Sequence, residues 1–246
     1  NFAGLNFDLA ATREGIAYAH ARGRKVLMAL NTFADARDIA PWQRAVDTAA
    51  GLGIDALISD EVCCSYIVGA VGLGKEFEQA QDRFREIYGP HLEGNILTVC
   101  PTCTATLRDE YGLQVQHALV AVAERLEGMR LSPIPRKVTY HDPCHLRRGM
   151  GVWNEPRQLI GAILGSMFAD MPDADRCCGL GGSFSITHYD VSRKIADHKV
   201  DAIVACGADA VVTACPGCMI QLRDALTRHK VAVEVLHIGE LFTVGR

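Results

Sequence analysis

The chain has 246 residues, enough for one large domain or two small ones, and its 49% hydrophobic and 22% charged residues are the balance of an ordinary globular protein. A net charge of −4 with both signs interspersed argues against a nucleic-acid-binding surface. The longest apolar runs, Ile160–Phe168 and Ala118–Val122, fall well short of a membrane span, so no direct membrane insertion is expected.

In chain order, Leu9, Ile16, Ala17 and His20 recur at helical spacing over Leu9–Arg22, with Gly23 as the stop. Lys25–Leu30 reads as a buried strand, and Asn31–Asp38 as a loop. Pro41 opens a helix reaching about Leu52 before Gly53, and Ile54–Ile58 is a second strand. The order α-β-α-β implies parallel pairing with right-handed crossovers. Phe77, Ala80, Phe84 and Ile87 share one face of a helix over Lys75–Ile87. Asn95–Val99 is a strand ending at Cys100, followed by a helix over Thr104–Tyr111 and an amphipathic helix over Gln114–Met129. Leu131–Arg136, with two prolines, is the linker candidate. Beyond it come a strand at Lys137–Tyr140, helices over Glu155–Leu164 and Val191–Ala205, and a strand at Ala210–Thr213. A helix to Arg228 and a strand at Val233–Leu236 complete the chain.

The chemistry lies in ten cysteines. His141-Asp-Pro-Cys144 is followed after thirty-two residues by Cys177-Cys178-Gly179, and Cys178 after thirty-six by Cys215-Pro-Gly-Cys218. Four thiolates satisfy a tetrahedral zinc or a cubane cluster, so the fifth is a surplus that needs an explanation. An earlier stretch repeats part of the pattern: Cys63-Cys64, then thirty-five residues, then Cys100-Pro-Thr-Cys103. The sequences after the two CxxC pairs also agree, Thr104-Ala-Thr-Leu-Arg-Asp-Glu110 against Met219-Ile-Gln-Leu-Arg-Asp-Ala225, which indicates an internal duplication. CC and CxxC pairs in an α/β sequence favour metal over disulfides and a reducing, cytoplasmic compartment. Cys206 stands outside both sets and reads as a small buried hydrophobe.

The expected architecture is α/β: two pseudo-duplicated α/β units with short parallel sheets and cysteine loops at the strand ends. Residues 1–130 form the first unit and 131–246 the second, complete one. The spacing from Asn31 to Cys63, thirty-one residues, nearly equals that from Cys144 to Cys177. Lys25–Leu30 is therefore expected to stand where Lys137–Tyr140 stands in the second unit.

On these motifs, residues 60–246 resemble the cysteine-rich CCG domain found in heterodisulfide reductase and in the iron–sulfur subunits of glycolate and lactate oxidation. In heterodisulfide reductase such motifs hold non-cubane 4Fe–4S clusters with bridging cysteines, which would account for a fifth thiolate. The resemblance implies an electron-transfer subunit of an oxidoreductase, working with a flavin-containing dehydrogenase or another redox subunit. Cys144, Cys177, Cys178, Cys215 and Cys218 would hold the main cluster, and Gly179, Gly181 and Gly182 would cradle it. Cys63, Cys64, Cys100 and Cys103 would form a second site for a cluster or zinc, short of a lead cysteine and with Ser65 in place of the glycine. Separately, Asn1–Phe7, Tyr18–Gly23, Leu30–Phe33 and Trp42–Val46 resemble the start of the collagenase-like peptidase family, in its ubiquinone-biosynthesis branch. Residues 1–58 would be a fragment of its β/α barrel, with 59–130 a degenerate half of the CCG domain and no function carried over from the peptidases.

The local chemistry fits metal. A CxxC turn between strand and helix puts both sulfurs on one side, at a helix N-terminus that favours thiolate. Glycines after the CC pair let backbone N–H groups approach sulfur. His141, His145, Arg147 and Arg148 flank Cys144, as modulators of a cluster or as solvated surface, whereas His188 and His198 read as surface residues. Two other classes of function remain open on the residues alone: a zinc-stabilised module that binds a partner protein, and an inactive fusion of two family fragments.

Overall fold

The computed structural model describes residues 28–29, 63–89, 92, 96–124, 126 and 135–241. The helices expected at Leu9–Arg22 and Pro41–Leu52, the loop at Asn31–Asp38, the strand at Ile54–Ile58 and most of the Leu131–Arg136 linker lie outside these residues.

Two three-stranded parallel sheets organise the described residues. The first holds β1 (Met28–Ala29), β2 (Ile96–Thr98) and β3 (Val115–His117); the second holds β4 (Val138–His141), β5 (Ala210–Thr213) and β6 (Glu234–His237). In each the strand order follows the chain. Ala29 pairs with Thr98 and His141 with Thr213, and each threonine stands two residues before the first cysteine of a CxxC pair. The strand within Lys25–Leu30 thus occupies in its sheet the position β4 holds in the other.

The helices between the strands follow the same plan. In the first sheet region α1 (Tyr66–Ala70) and α2 (Gly74–Tyr88) precede β2, while α3 (Pro101–Asp109) and α4 (Ala118–Ala123) follow β2 and β3. In the second, α5 (Asn154–Leu164), α6 (Phe184–Thr187) and α7 (Tyr189–Ala205) precede β5, and α8 (Pro216–Arg228) follows it. Both α3 and α8 begin with proline one residue after a cysteine N-cap in extended conformation, φ −122° at Cys100 and −128° at Cys215. Proline fits there because the first turn has no use for its missing N–H. These helices start earlier than the sequence pattern suggested, so the second cysteine of each pair is already helical.

The expected helix over Gln114–Met129 is corrected. Val115–His117 is a strand, paired Ile96↔Val115, and only Ala118–Ala123 is helical among the described residues of that span. The apolar residues there satisfied a helical period, but parallel pairing with β2 captures the first three. His117 then caps the short helix, its Nδ1 accepting from the Leu119 N–H at 3.2 Å.

The second sheet is buried on both faces, as parallel sheets usually are. Val138, Tyr140, Ala210 and Val212 pack with Leu159, Ile160 and Ile163 of α5, and Leu119 of α4 joins them from the first region. Val211 and Val235 pack on the other side with Ala196, Val200 and Ile203 of α7 and Leu222 and Leu226 of α8. Cys178, Cys215 and Cys218 belong to this second core layer. Cys64, Cys100 and Cys103 lie in a third layer with Phe84, Tyr88, Leu107 and Tyr111.

Candidate metal centre

The sulfurs are brought together from distant loops. Cys178 Sγ lies 3.4 Å from Cys218 Sγ, and Cys64 Sγ lies 3.3 Å from Cys103 Sγ. Cys177 is in thiol contact with both Cys144 and Cys178, and Cys215 with Cys218. Cys64 contacts Cys63, and Cys100 contacts Cys103. The two sets approach one another at Cys100 and Cys215, close enough for each to shift the other's thiol. All nine cysteines of the two motif sets therefore form one continuous run. Its order is Cys144, Cys177, Cys178, Cys218, Cys215, Cys100, Cys103, Cys64, Cys63. The middle is buried, Cys144 and Cys177 are half-buried, and Cys63 is exposed. Cys206 stands apart and is half-buried rather than buried, donating to the Ala202 carbonyl at 3.2 Å.

Proton sharing polarises this run. Cys144 donating to Cys177 drives the Cys177 thiol down to about 2 and raises its own. Cys103 likewise holds Cys64 down, to about 4, while Cys103 itself is pushed up by its contacts with Cys100 and Cys64. Contact with Cys103, and then with Cys215, lowers Cys100. Several thiols crowded this closely cannot all ionise without a compensating cation. A metal supplies that compensation and releases the shared protons.

The two CC loops are built alike. The Gly179 N–H donates to Cys177 Sγ at 3.3 Å, and the Ser65 N–H donates to Cys63 Sγ at the same 3.3 Å. Both residues have positive φ, 97° at Gly179 and 56° at Ser65. Serine thus keeps the local geometry at a cost in strain that glycine avoids. A Cβ on Gly179 would stand 2.6 Å from the Ser192 carbonyl, so the close approach of this loop is to the backbone of α7. Ser192 Oγ ties the loop by donating to the Gly179 carbonyl at 2.8 Å, and Gln221 Nε2 donates to Ser192 Oγ at 3.2 Å. Gly181 fits against Phe184, and Gly182 lies beside Tyr66 of the first region.

Of the flanking cations, Arg147 is spent on Asp142, which is 1% exposed and also receives both ends of the Arg157 guanidinium at 2.8 and 2.9 Å. Arg148 is exposed beside Asp175. His145 reaches across to the first region, its Nδ1 2.8 Å from Thr102 Oγ1 and its ring edge-on to Tyr66. His188 and His198 are exposed, as expected.

The sequence reading passed over two buried groups, His117 and Lys199, and a half-buried one, His237. His117 and His237 end β3 and β6 and lie reciprocally at the seam between the sheets. His237 Nε2 donates to the Val99 carbonyl at 3.1 Å, and His117 sits beside the Ala214 and Val99 carbonyls. Each of those carbonyls immediately precedes a CxxC cysteine. Burial, then repulsion from His237, lowers His117 to about 4. A repeated Val-x-His, Val115-Gln-His117 and Val235-Leu-His237, was the available signal. Lys199, 1% exposed, donates to the Asp173 and Ala174 carbonyls at 2.6 and 3.3 Å and so braces the loop leading to Cys177.

Sulfurs from both motif sets are thus gathered in one region, and known proteins share these motifs. Residues 138–223 match the cysteine-rich domain CCG. Residues 2–73 match peptidase family U32. The chain is similar to one subunit of the fumarate reductase (CoM/CoB) of Methanothermobacter marburgensis, with 34% identity over 75% of this chain and 39% of that protein. It is 33% identical to an uncharacterized iron-sulfur protein of Methanococcus maripaludis, over 72% of this chain and 36% of that one. It is 41% identical to a probable glycolate oxidase iron-sulfur subunit of Bacillus subtilis, over 44% of this chain and 24% of that one. The chain spans less than two fifths of the length of the first two.

The residues present fit an iron–sulfur group. The donor set is all sulfur, it is clustered and mostly buried, and two helix N-termini stand behind it. Among the described residues no helix is long and apolar enough to cross a membrane.

Proposed function

We propose that this chain is an iron–sulfur electron-transfer subunit of an oxidoreductase. The observation that carries the reading is the convergence of sulfurs from distant loops, Cys178 Sγ 3.4 Å from Cys218 Sγ and Cys64 Sγ 3.3 Å from Cys103 Sγ, with the two sets nearing each other at Cys100 and Cys215. Cys144, Cys177, Cys178, Cys215 and Cys218 would hold the main 4Fe–4S cluster, and five thiolates on one cluster favour a non-cubane form. Cys63, Cys64, Cys100 and Cys103 would hold the second metal group. The bound group supplies one-electron redox chemistry. The chain's own residues exclude water from the middle of the run, orient the thiolates through the Gly179 and Ser65 N–H groups, and hold the two sites in contact. Electrons would enter or leave where the run nears the surface, at Cys63 or at Cys144 and Cys177.

The names of the Bacillus and Methanothermobacter relatives support a glycolate/lactate or heterodisulfide type of reaction. A flavin-containing dehydrogenase as the electron partner and a cytoplasmic setting belong to the same proposal. The division into units at 1–130 and 131–246 fits the two sheets. A second reading attaches to the first set alone: four thiols without a fifth match a tetrahedral zinc site.

Anaerobic purification followed by iron, sulfide and zinc analysis and an electron paramagnetic resonance spectrum tests the proposal. Brown protein with iron and sulfide and a cluster signal is expected. Colourless protein holding only zinc would overturn the redox assignment in favour of the structural module.

A further inference from the structure

One side chain of the second sheet has no place in the sulfur run, yet faces it. His141 ends β4 and is 0% exposed. Neither ring nitrogen has a hydrogen-bond partner among the described residues. A buried polar group left in that state is rare and calls for a bound group that completes it. The Ala174 carbonyl lies near enough to act on the ring, but it already accepts from the Asp142 N–H at 3.0 Å and from Lys199 Nζ at 3.3 Å. It therefore leaves His141 without a hydrogen bond of its own.

The position of the ring decides what could complete it. A ring nitrogen of His141 and the Sγ atoms of Cys178 and Cys218 all lie within 4.8 Å of one another. Neither sulfur forms a direct hydrogen bond with the ring. At a tetrahedral angle, nitrogen at about 2.1 Å and sulfur at about 2.3 Å from one ion stand about 3.6 Å apart, so side-chain shifts of about an ångström bring all three onto one ion. We propose that His141 is a nitrogen ligand of the metal group held by Cys178 and Cys218, which gives the second site a mixed nitrogen–sulfur donor set. Among the described residues the first site has no counterpart at this register position, where Ala29 stands in place of His141. A neutral imidazole beside the five thiolates would add a donor without adding negative charge.

The inference rests on the metal-binding reading above, and its test separates the two. Full-length protein is labelled with nitrogen-15 histidine, purified anaerobically and examined by pulsed electron paramagnetic resonance beside His141→Gln and His145→Ala variants. The expected result is a strongly coupled nitrogen that persists in His145→Ala and is lost in His141→Gln. Should His141→Gln fail to fold, the labelled wild type and His145→Ala decide between the same outcomes. An iron cluster with only the weak couplings of hydrogen-bonded nitrogen, or with coupling that vanishes in His145→Ala, overturns the His141 assignment and leaves the redox function standing. Absence of iron overturns the proposed function. X-ray absorption at the zinc edge then decides the ligand question, a nitrogen–sulfur shell supporting His141 and an all-sulfur shell overturning it.

Discussion

The two sheet regions share a plan and differ in what they hang on it. Both have three parallel strands in chain order, a CxxC at the N-terminus of the helix after the middle strand, and a CC loop with a backbone N–H on the first sulfur. The second region adds a lead cysteine, a glycine at the strained position, an imidazole at the end of its first strand and a buried carboxylate clamped by two arginines. Backbone architecture sets where sulfur is delivered, and single side chains set how many donors arrive. A duplicated scaffold can thus present two unlike sites in contact.

The comparison can be broken most sharply at the sulfurs. Cys178→Ser is expected to abolish metal binding in the second set while the first keeps its own, and Cys64→Ser to do the reverse, measured by metal content and cluster spectra of each variant. If either substitution empties both sites, the two sets act as one.

The next largest effect belongs to Asp142. Replacing it with alanine leaves Arg157, and in part Arg147, without their shared carboxylate, at a cost of about 3–5 kcal/mol. A fall in the urea midpoint at unchanged slope would register it, and no change would mean that the ion pairs contribute nothing.

Acid sensitivity comes third. His117 is held near 4 in the folded protein, below the ordinary value of 6.5. As pH falls through that window the unfolded chain takes up the proton first, so stability that is complete above 6.5 drains away by roughly 3 kcal/mol on reaching about 4. His117→Asn, which keeps a cap for α4, should flatten that loss relative to wild type in urea titrations at matched metal content.

The smallest effects come from the paired turn residues and carry opposite signs. Gly179→Ala drives a Cβ into the Ser192 carbonyl at positive φ and should destabilise by about 2 kcal/mol. Ser65→Gly relieves the strain at the matching position and should stabilise by about 0.5 kcal/mol. Thermal melts that moved in the same direction for both would show that the two loops are not equivalent.

Much of this molecule was legible in its sequence. Cysteine spacing, proline after the first cysteine of each CxxC, and the repeated Leu-Arg-Asp marked the duplication, because local turn chemistry and helix N-termini depend on neighbours along the chain. Lys25–Leu30 could be assigned to a β4-like strand from spacing alone. The helix expected over Gln114–Met129 was misread because a short apolar segment satisfies either period until a partner strand claims it. The meeting of Cys100 with Cys215 and the placing of His117 and His237 at the seam depend on how the two sheets pack, and the unpartnered His141 depends on loops closing within the second region. Only tertiary structure decided these, since contacts between residues tens to more than a hundred positions apart leave no local pattern in the chain.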